Sequence, residues 1–339
     1  MMRYQNVELH NVEAVVPLEG GGVRLSRVPE PVRLALNPAA RDVRAYHTCG
    51  CEIRFVLKGE EARLTLRKGA GPAVSKSGQA EVYFGPFQGV YPWAAVHVDG
   101  QGSEIVVRRP GNLEHLQQLA RDGGMGFDPA VVRIILPYDW IYELVSIEGD
   151  LLPPEPGQLP AQRLLCYGSS ITHGGDSVRP TGTYAMRTAR RLGMDLIHLG
   201  FAGSAHMEDA MALYIASRSD WHLAVVEMGI NVIGDWEEER FERQVRRFLT
   251  MLSTGLRDRR VLCTDLFLCQ HDLEGQEKAA RFRGIVRSAA EALGHPGVVY
   301  VPGTELLPDA SLLSADLVHP SAEGHEAIAA RLGERLRRG

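Results

Sequence analysis

The chain has 339 residues, 45% of them hydrophobic and 23% charged. These are the proportions of an ordinary folded protein with room for about two domains, and they exclude disorder, collagen and coiled coil. Lys and Arg number 37 against 42 Asp and Glu, and neither half carries the basic excess that a nucleic-acid or anionic-membrane binder needs.

The opening residues show no basic start leading into a long apolar run and a small-residue cleavage site, so no export signal is expected. No stretch approaches the ~18 consecutive apolar residues of a membrane span. The expectation is a soluble, cytoplasmic protein without nucleic-acid or membrane partners. Its five cysteines, Cys49, Cys51, Cys166, Cys263 and Cys269, are an odd number in a large chain, which suits reduced thiols. No second pair answers Cys49 and Cys51 as a zinc site would require, so neither metal nor cofactor is expected.

Residues 1–150 read as short strands of alternating apolar and polar residues broken by Gly or Pro: 53–57, 63–66, 81–84, 104–107 and 131–136. Only 113–121 hints at a helix. This pattern predicts an antiparallel β-sandwich, jelly-roll-like, as an accessory domain. Residues 151–161 form a proline-rich linker in which regular hydrogen bonding is not expected.

From residue 162 to 339 the rhythm changes. Apolar runs at 164–167, 196–199, 223–226, 261–266 and 298–301 suit buried parallel strands. Between them, 184–192, 207–216, 237–252, 276–292 and 322–336 suit amphipathic helices. Five β-then-α units predict a doubly wound, flavodoxin-like parallel sheet of five strands, with its site where strands end and helices begin.

The chemistry-bearing residues fall at those ends. The first strand runs into Gly168-Ser169-Ser170-Ile171-Thr172-His173, where a serine stands near a helix N-terminus whose N–H groups can hold an oxyanion. Serine also caps helices routinely, so this turn alone decides little. Near the C-terminus, Asp316 precedes His319 by three residues in a loop, a spacing that lets the acid hold the imidazole in one tautomer. The same spacing recurs at Asp195 and His198, but within a strand, where the two positions point to opposite faces. His198 therefore reads as a hydrogen-bonded core histidine. The turns after strands two and three contribute Gly203 and Asn231, a close-approach glycine and an amide donor.

Taken in chain order, these four blocks resemble the SGNH, or GDSL-type, hydrolase family. The resemblance covers residues from about 163 to 339 and implies Ser170 as nucleophile, with Asp316 and His319 completing the catalytic triad. It also implies an oxyanion hole of Ser170, Gly203 and Asn231. Ser169 stands where the family usually has Asp, and Val232 where an Asp commonly follows the Asn. The Gly-Ser-Ser-Ile-Thr-His start and the preceding sandwich look like a subgroup that includes carbohydrate esterases and a polyketide-tailoring acyltransferase. The expected activity is hydrolysis of short-chain, acetyl-like esters of a small molecule or carbohydrate, with His173, Phe201 and Ile230 against the substrate.

Transfer of the acyl group to a small-molecule alcohol is an alternative that uses the same triad. A second is a carbohydrate-binding protein with an inactive hydrolase domain, its sugar surface formed by Tyr83, Phe84, Phe87, Tyr91, Trp93, Tyr138, Trp140 and Tyr142. A metal site drawn from His173, Asp176, His206 and Glu227 is weaker, because Glu227 reads as a loop anchor.

Overall fold

The computed structural model describes residues 2–337. Two antiparallel sheets form the N-terminal sandwich. The first contains the strands Glu52–Leu57, Val131–Ile135 and Gly78–Phe84 at its centre; the second is built on Glu61–Lys68 and Tyr142–Glu148. In Glu61–Lys68 buried residues alternate with partly exposed ones, the mark of a strand with one face on a core.

Five parallel strands follow, in the spatial order Asp195–Gly200, Arg163–Gly168, Leu223–Glu227, Arg260–Thr264, Val298–Val301. This 2-1-3-4-5 order, with helices on both faces, is the flavodoxin-like arrangement. The strand order reverses between Arg163–Gly168 and Leu223–Glu227, and that reversal opens a crevice at their carboxyl ends.

The structure corrects two expectations about irregular segments. Short helices occupy Glu30–Leu34 and Pro38–Asp42. Val28, Leu36, Ala40 and Ala45 from this stretch pack into the core of the α/β layer with Met207 and Met211. The proline-rich segment does hydrogen-bond regularly in part: Leu151 and Leu152 pair with Leu57 and Val56, and Pro156–Gln158 makes a 3-10 turn. Prolines clustered later in the segment leave its first two residues free to pair.

A buried ion-pair network ties the sandwich to the sheet. Arg54 donates to both oxygens of Asp195 at 2.7 and 2.8 Å and to Glu52, which also takes a two-pronged contact from Arg133. A cavity of about 490 Å³ lies beside it, lined by Phe127, Arg133, Met186, Met194 and Asp195. It sits at the beginning of the strand Asp195–Gly200, away from the carboxyl ends that the site would use. No helix among the described residues is long and apolar enough to cross a membrane.

Candidate active site

Strand Arg163–Gly168 stops at Gly168, and Ser169 turns the chain. The Ser169 Oγ accepts from the Ile171 N–H at 3.1 Å, capping a single helical turn, Ser170–His173. Gly174, at φ +116°, closes that turn with its N–H on the Ser170 carbonyl. Ser170 is thereby held at the first position of the turn, half-buried, at the carboxyl end of a strand.

Facing it is the loop 314–320. The Ser314 N–H donates to the His319 carbonyl, Leu313 bridges Pro320, and the Gln270 N–H holds the carbonyl of Leu317, which sits at φ +57°. Within this brace Asp316 Oδ1 accepts from the backbone N–H groups of Val318 and His319 at 3.0 Å, while Oδ2 meets His319 Nδ1 at 2.5 Å. His319 Nε2 lies 2.8 Å from Ser170 Oγ. With Asp316 accepting at Nδ1–H, Nε2 is the unprotonated nitrogen and the Ser170 hydroxyl donates to it. Partial burial acts to raise the Asp316 carboxyl, but the bonds from His319 and the two N–H groups outweigh it, so its pKa lies below the ordinary value.

One glycine makes this approach possible. A Cβ on Gly175 would stand 2.6 Å from His319 Cδ2, so only a bare backbone leaves the ring its place. Gly203 is different: at φ +65° it has open space around it, and strain rather than crowding favours glycine there. Asn231 Oδ1 accepts from the Ala205 N–H at 3.1 Å, which fixes the amide plane. Among the described residues its NH₂ group has no acceptor. The structure thus connects Ser170, His319 and Asp316 directly, and puts Gly203 and Asn231 in neighbouring turns joined by the Ala205 bond.

The placement of His173 and Phe201 against substrate is corrected. His173 is 4% exposed, its Nε2 2.7 Å from the Tyr138 carbonyl and its Nδ1 within reach of Cys49 Sγ and the Gly200 carbonyl. It anchors the turn that carries Ser170 to the sandwich. Phe201 is 1% exposed beneath the Arg27 guanidinium, 4.8 Å from the ring centroid. Ile230 stays half-buried, packed on the sheet core. Both corrected residues sit next to turn glycines, and whether such a neighbour faces out or in is decided by long-range packing.

His198 is buried as expected but only half satisfied: Nδ1 accepts from Gly200 N at 3.3 Å and Nε2 has no partner. Of the aromatic group on the sandwich, Tyr83, Trp140 and Tyr142 are core, whereas Tyr91 and Trp93 are exposed. The metal grouping with His173 does not assemble; instead Asp176, Asp316 and His319 bring three donor atoms within 4.8 Å of one another, the one such cluster among the described residues. Two of its members already serve the contact to Ser170.

Glu227, which the sequence marks as a loop anchor, anchors the turn that carries Ser170. It is buried at the end of strand Leu223–Glu227 and accepts from the Ser169 N–H at 2.7 Å and the Thr172 hydroxyl at 2.9 Å. A carboxylate ending a buried apolar strand is the signal that marks it in the sequence.

Residues 166–327 match the model of the GDSL-like Lipase/Acylhydrolase family. No curated protein matches the chain in sequence. Among solved structures the fold is similar to that of a salicylyl-acyltransferase from a tetracycline biosynthetic pathway, with TM-score 0.79, 17% identity, and coverage of 98% of this chain and 95% of that one. It is also similar to a family two carbohydrate esterase from Cellvibrio japonicus (TM-score 0.62, 14% identity, 98% and 95% covered). An acetyl xylan esterase from the rumen bacterium Butyrivibrio proteoclasticus gives a TM-score of 0.57 at 12% identity, with 99% and 96% covered.

Proposed function

From the premise that residues 166–327 form a GDSL-like lipase/acylhydrolase domain, and that the protein is therefore an ester-acting enzyme, we propose that it is a serine esterase for short-chain esters of carbohydrates or other small alcohols. The observation that carries this reading is the unbroken contact from Asp316 through His319 to Ser170 Oγ.

In the first step His319 Nε2 takes the Ser170 proton as Oγ bonds to the ester carbonyl carbon, and Asp316 steadies the imidazolium. The carbonyl oxygen becomes an oxyanion facing the N–H groups of Ser170 and Gly203 and the Asn231 amide. Collapse breaks the bond to the alcohol oxygen, which leaves with the proton from His319. Water, deprotonated by His319, then releases the acid and restores Ser170. Asn231 suits a donor's role because its Oδ1 is already occupied by the Ala205 N–H.

The test is hydrolysis of p-nitrophenyl acetate and of acetylated sugars by the purified protein. Ser170→Ala should abolish turnover and fluorophosphonate labelling. Asn231→Ala should lower kcat about 10²–10³-fold, the usual loss for one oxyanion donor. Unchanged hydrolysis by Ser170→Ala would show that the nucleophile lies elsewhere. An alcohol can replace water in the second step without any change in these residues. The ratio of transferred to hydrolysed product, measured with candidate alcohols, decides which acceptor the enzyme prefers.

A further inference from the structure

The strand Leu223–Glu227 lies beside Arg163–Gly168 in the sheet, with Val226 opposite Tyr167. One residue on, the Glu227 side chain reaches across the neighbouring strand's end and passes under the turn that carries Ser170. One oxygen, Oε2, accepts both the Ser169 N–H and the Thr172 hydroxyl. Those two donors bracket Ser170, one just before it and one two residues after it. Tyr184 OH, 2.7 Å from Thr172 Oγ1, donates into that hydroxyl and fixes its direction.

The passage exists because residue 168 is glycine. A Cβ there would lie 2.2 Å from Thr172 Oγ1 and 2.4 Å from Glu227 Oε2. Gly168, Thr172 and Glu227 therefore form one fitted contact, which a larger residue at 168 would break.

Stability alone does not account for a carboxyl at this place. Glu227 is 1% exposed, pairs with no Lys or Arg among the described residues within 4 Å, and leaves its second oxygen, Oε1, without a partner. Burial pushes its pKa above the ordinary carboxyl value. A half-satisfied buried carboxyl costs folding free energy, and an apolar side chain of similar volume commonly does as well or better.

We infer that Glu227 is a positioning residue: by binding the N–H before Ser170 and the hydroxyl after it with one oxygen, it sets the orientation of the nucleophile turn. The Ser170 N–H and Oγ are then aimed together, one at the oxyanion position and the other at the carbonyl carbon. Glu227 acts through Ser169 and Thr172 and does not touch substrate. The inference rests on Ser170 being the nucleophile, as proposed above.

The test compares Glu227→Leu and Glu227→Gln with the wild-type chain in three readings: thermal stability, steady-state hydrolysis of p-nitrophenyl acetate, and the rate of fluorophosphonate labelling of Ser170. Leu keeps the volume and removes the acceptor; Gln supplies a neutral acceptor at the same reach. The expected result for Leu is a folded protein whose kcat and labelling rate both fall roughly 10- to 100-fold, the scale of a small misplacement of reacting groups. KM should stay within about threefold, because substrate binding is not what is lost. Gln should recover kcat to within about fivefold of wild type.

A folded Leu variant with wild-type kcat overturns the inference, as does a Gln variant no better than Leu. Should Leu fail to fold, Thr172→Val carries the test, since it removes one of the two donors. A fall in its kcat of at least about fivefold at unchanged KM supports the inference, and no fall overturns it. A wild-type protein that neither turns over esters nor labels at Ser170 defeats the proposed function instead, a result distinct from active wild type with an equally active Leu variant.

Discussion

His319 can reach Ser170 only because nothing projects from residue 175. The Cβ that alanine would place there, 2.6 Å from His319 Cδ2 and 3.2 Å from Nε2, meets the edge of the ring that faces Ser170. The backbone at 175 is pinned by its N–H on the Ser170 carbonyl at 2.8 Å, whereas the histidine side chain is 25% exposed and held on its far side by the exposed Asp316. The ring should therefore yield. Gly175→Ala is expected to keep wild-type stability within about 1 kcal/mol while kcat drops roughly 10- to 100-fold through loss of the 2.8 Å contact. Thermal melts beside p-nitrophenyl acetate kinetics check this, and full activity would mean that the imidazole does not need its present place. The pairing of Asp316 with His319 was legible in the sequence because the two are three apart on a loop, where a local turn can join them. The parts that were not legible depend on distant partners. Nothing near His173 says that the Tyr138 carbonyl waits for it, and nothing near Phe201 announces Arg27.

Among whole elements, legibility followed burial on two faces. Parallel strands covered by helices are unbroken apolar runs: Leu223–Glu227, buried after its first residue, exceeds its predicted run by one residue, and the helix Tyr184–Leu192 appears with the limits its pattern predicts. The strand Tyr142–Glu148 was not read, and it carries a register shift between Leu144 and Ser146 against Glu61–Lys68 that breaks the alternation a reader relies on. The helices Glu30–Leu34 and Pro38–Asp42 have proline in their first turn, a favoured start that looks in sequence like an interruption. Charges inside strands were equally opaque. Arg54 is wholly buried between Glu52 and Asp195, and its guanidinium and that of Arg133 lie 5.1 and 3.8 Å from the Phe127 ring centroid. This arginine joins a sandwich strand to the α/β sheet, and its removal would leave two buried carboxylates short of a cation. Arg54→Met should cost about 3–5 kcal/mol in urea unfolding, the usual penalty for breaking such a pair from one side. Adding Asp195→Asn should return part of that loss, because the stranded charge goes with it. A single mutant within about 1 kcal/mol of wild type would show that water or Arg133 makes good the missing charge, and that the strands are joined by packing alone.

For the molecule as a whole, the same burial of polar groups gives stability a particular dependence on acid. Burial, reinforced by nearby arginines, pushes His173 down to about 3; burial alone leads in pushing His325 down to about 4. It also lowers His10, His47 and His198 below the ordinary value near 6.5. Each of these histidines is neutral in the folded chain at pH values where the unfolded chain would already hold a proton. The unfolded state then binds more protons, so stability is complete above about pH 6.5 and declines as pH falls from there. Glu52 and Asp195, lowered despite burial because Arg54 and Arg133 outweigh it, lose their contribution only in stronger acid. Glu227 and Asp265, raised by burial, act the other way: they bind protons more readily when folded and soften the decline. Five histidines against two carboxyls leave a net loss between about pH 6.5 and 4. His198 offers the cleanest probe, being buried, with one nitrogen unpartnered and no part in the relay. His198→Gln removes that titration, so its melting temperature should fall less steeply than the wild type's over this range, whatever offset the substitution brings at pH 8. Parallel slopes for the two proteins would mean that His198 keeps an ordinary affinity for protons and that acid unfolds the chain through other groups.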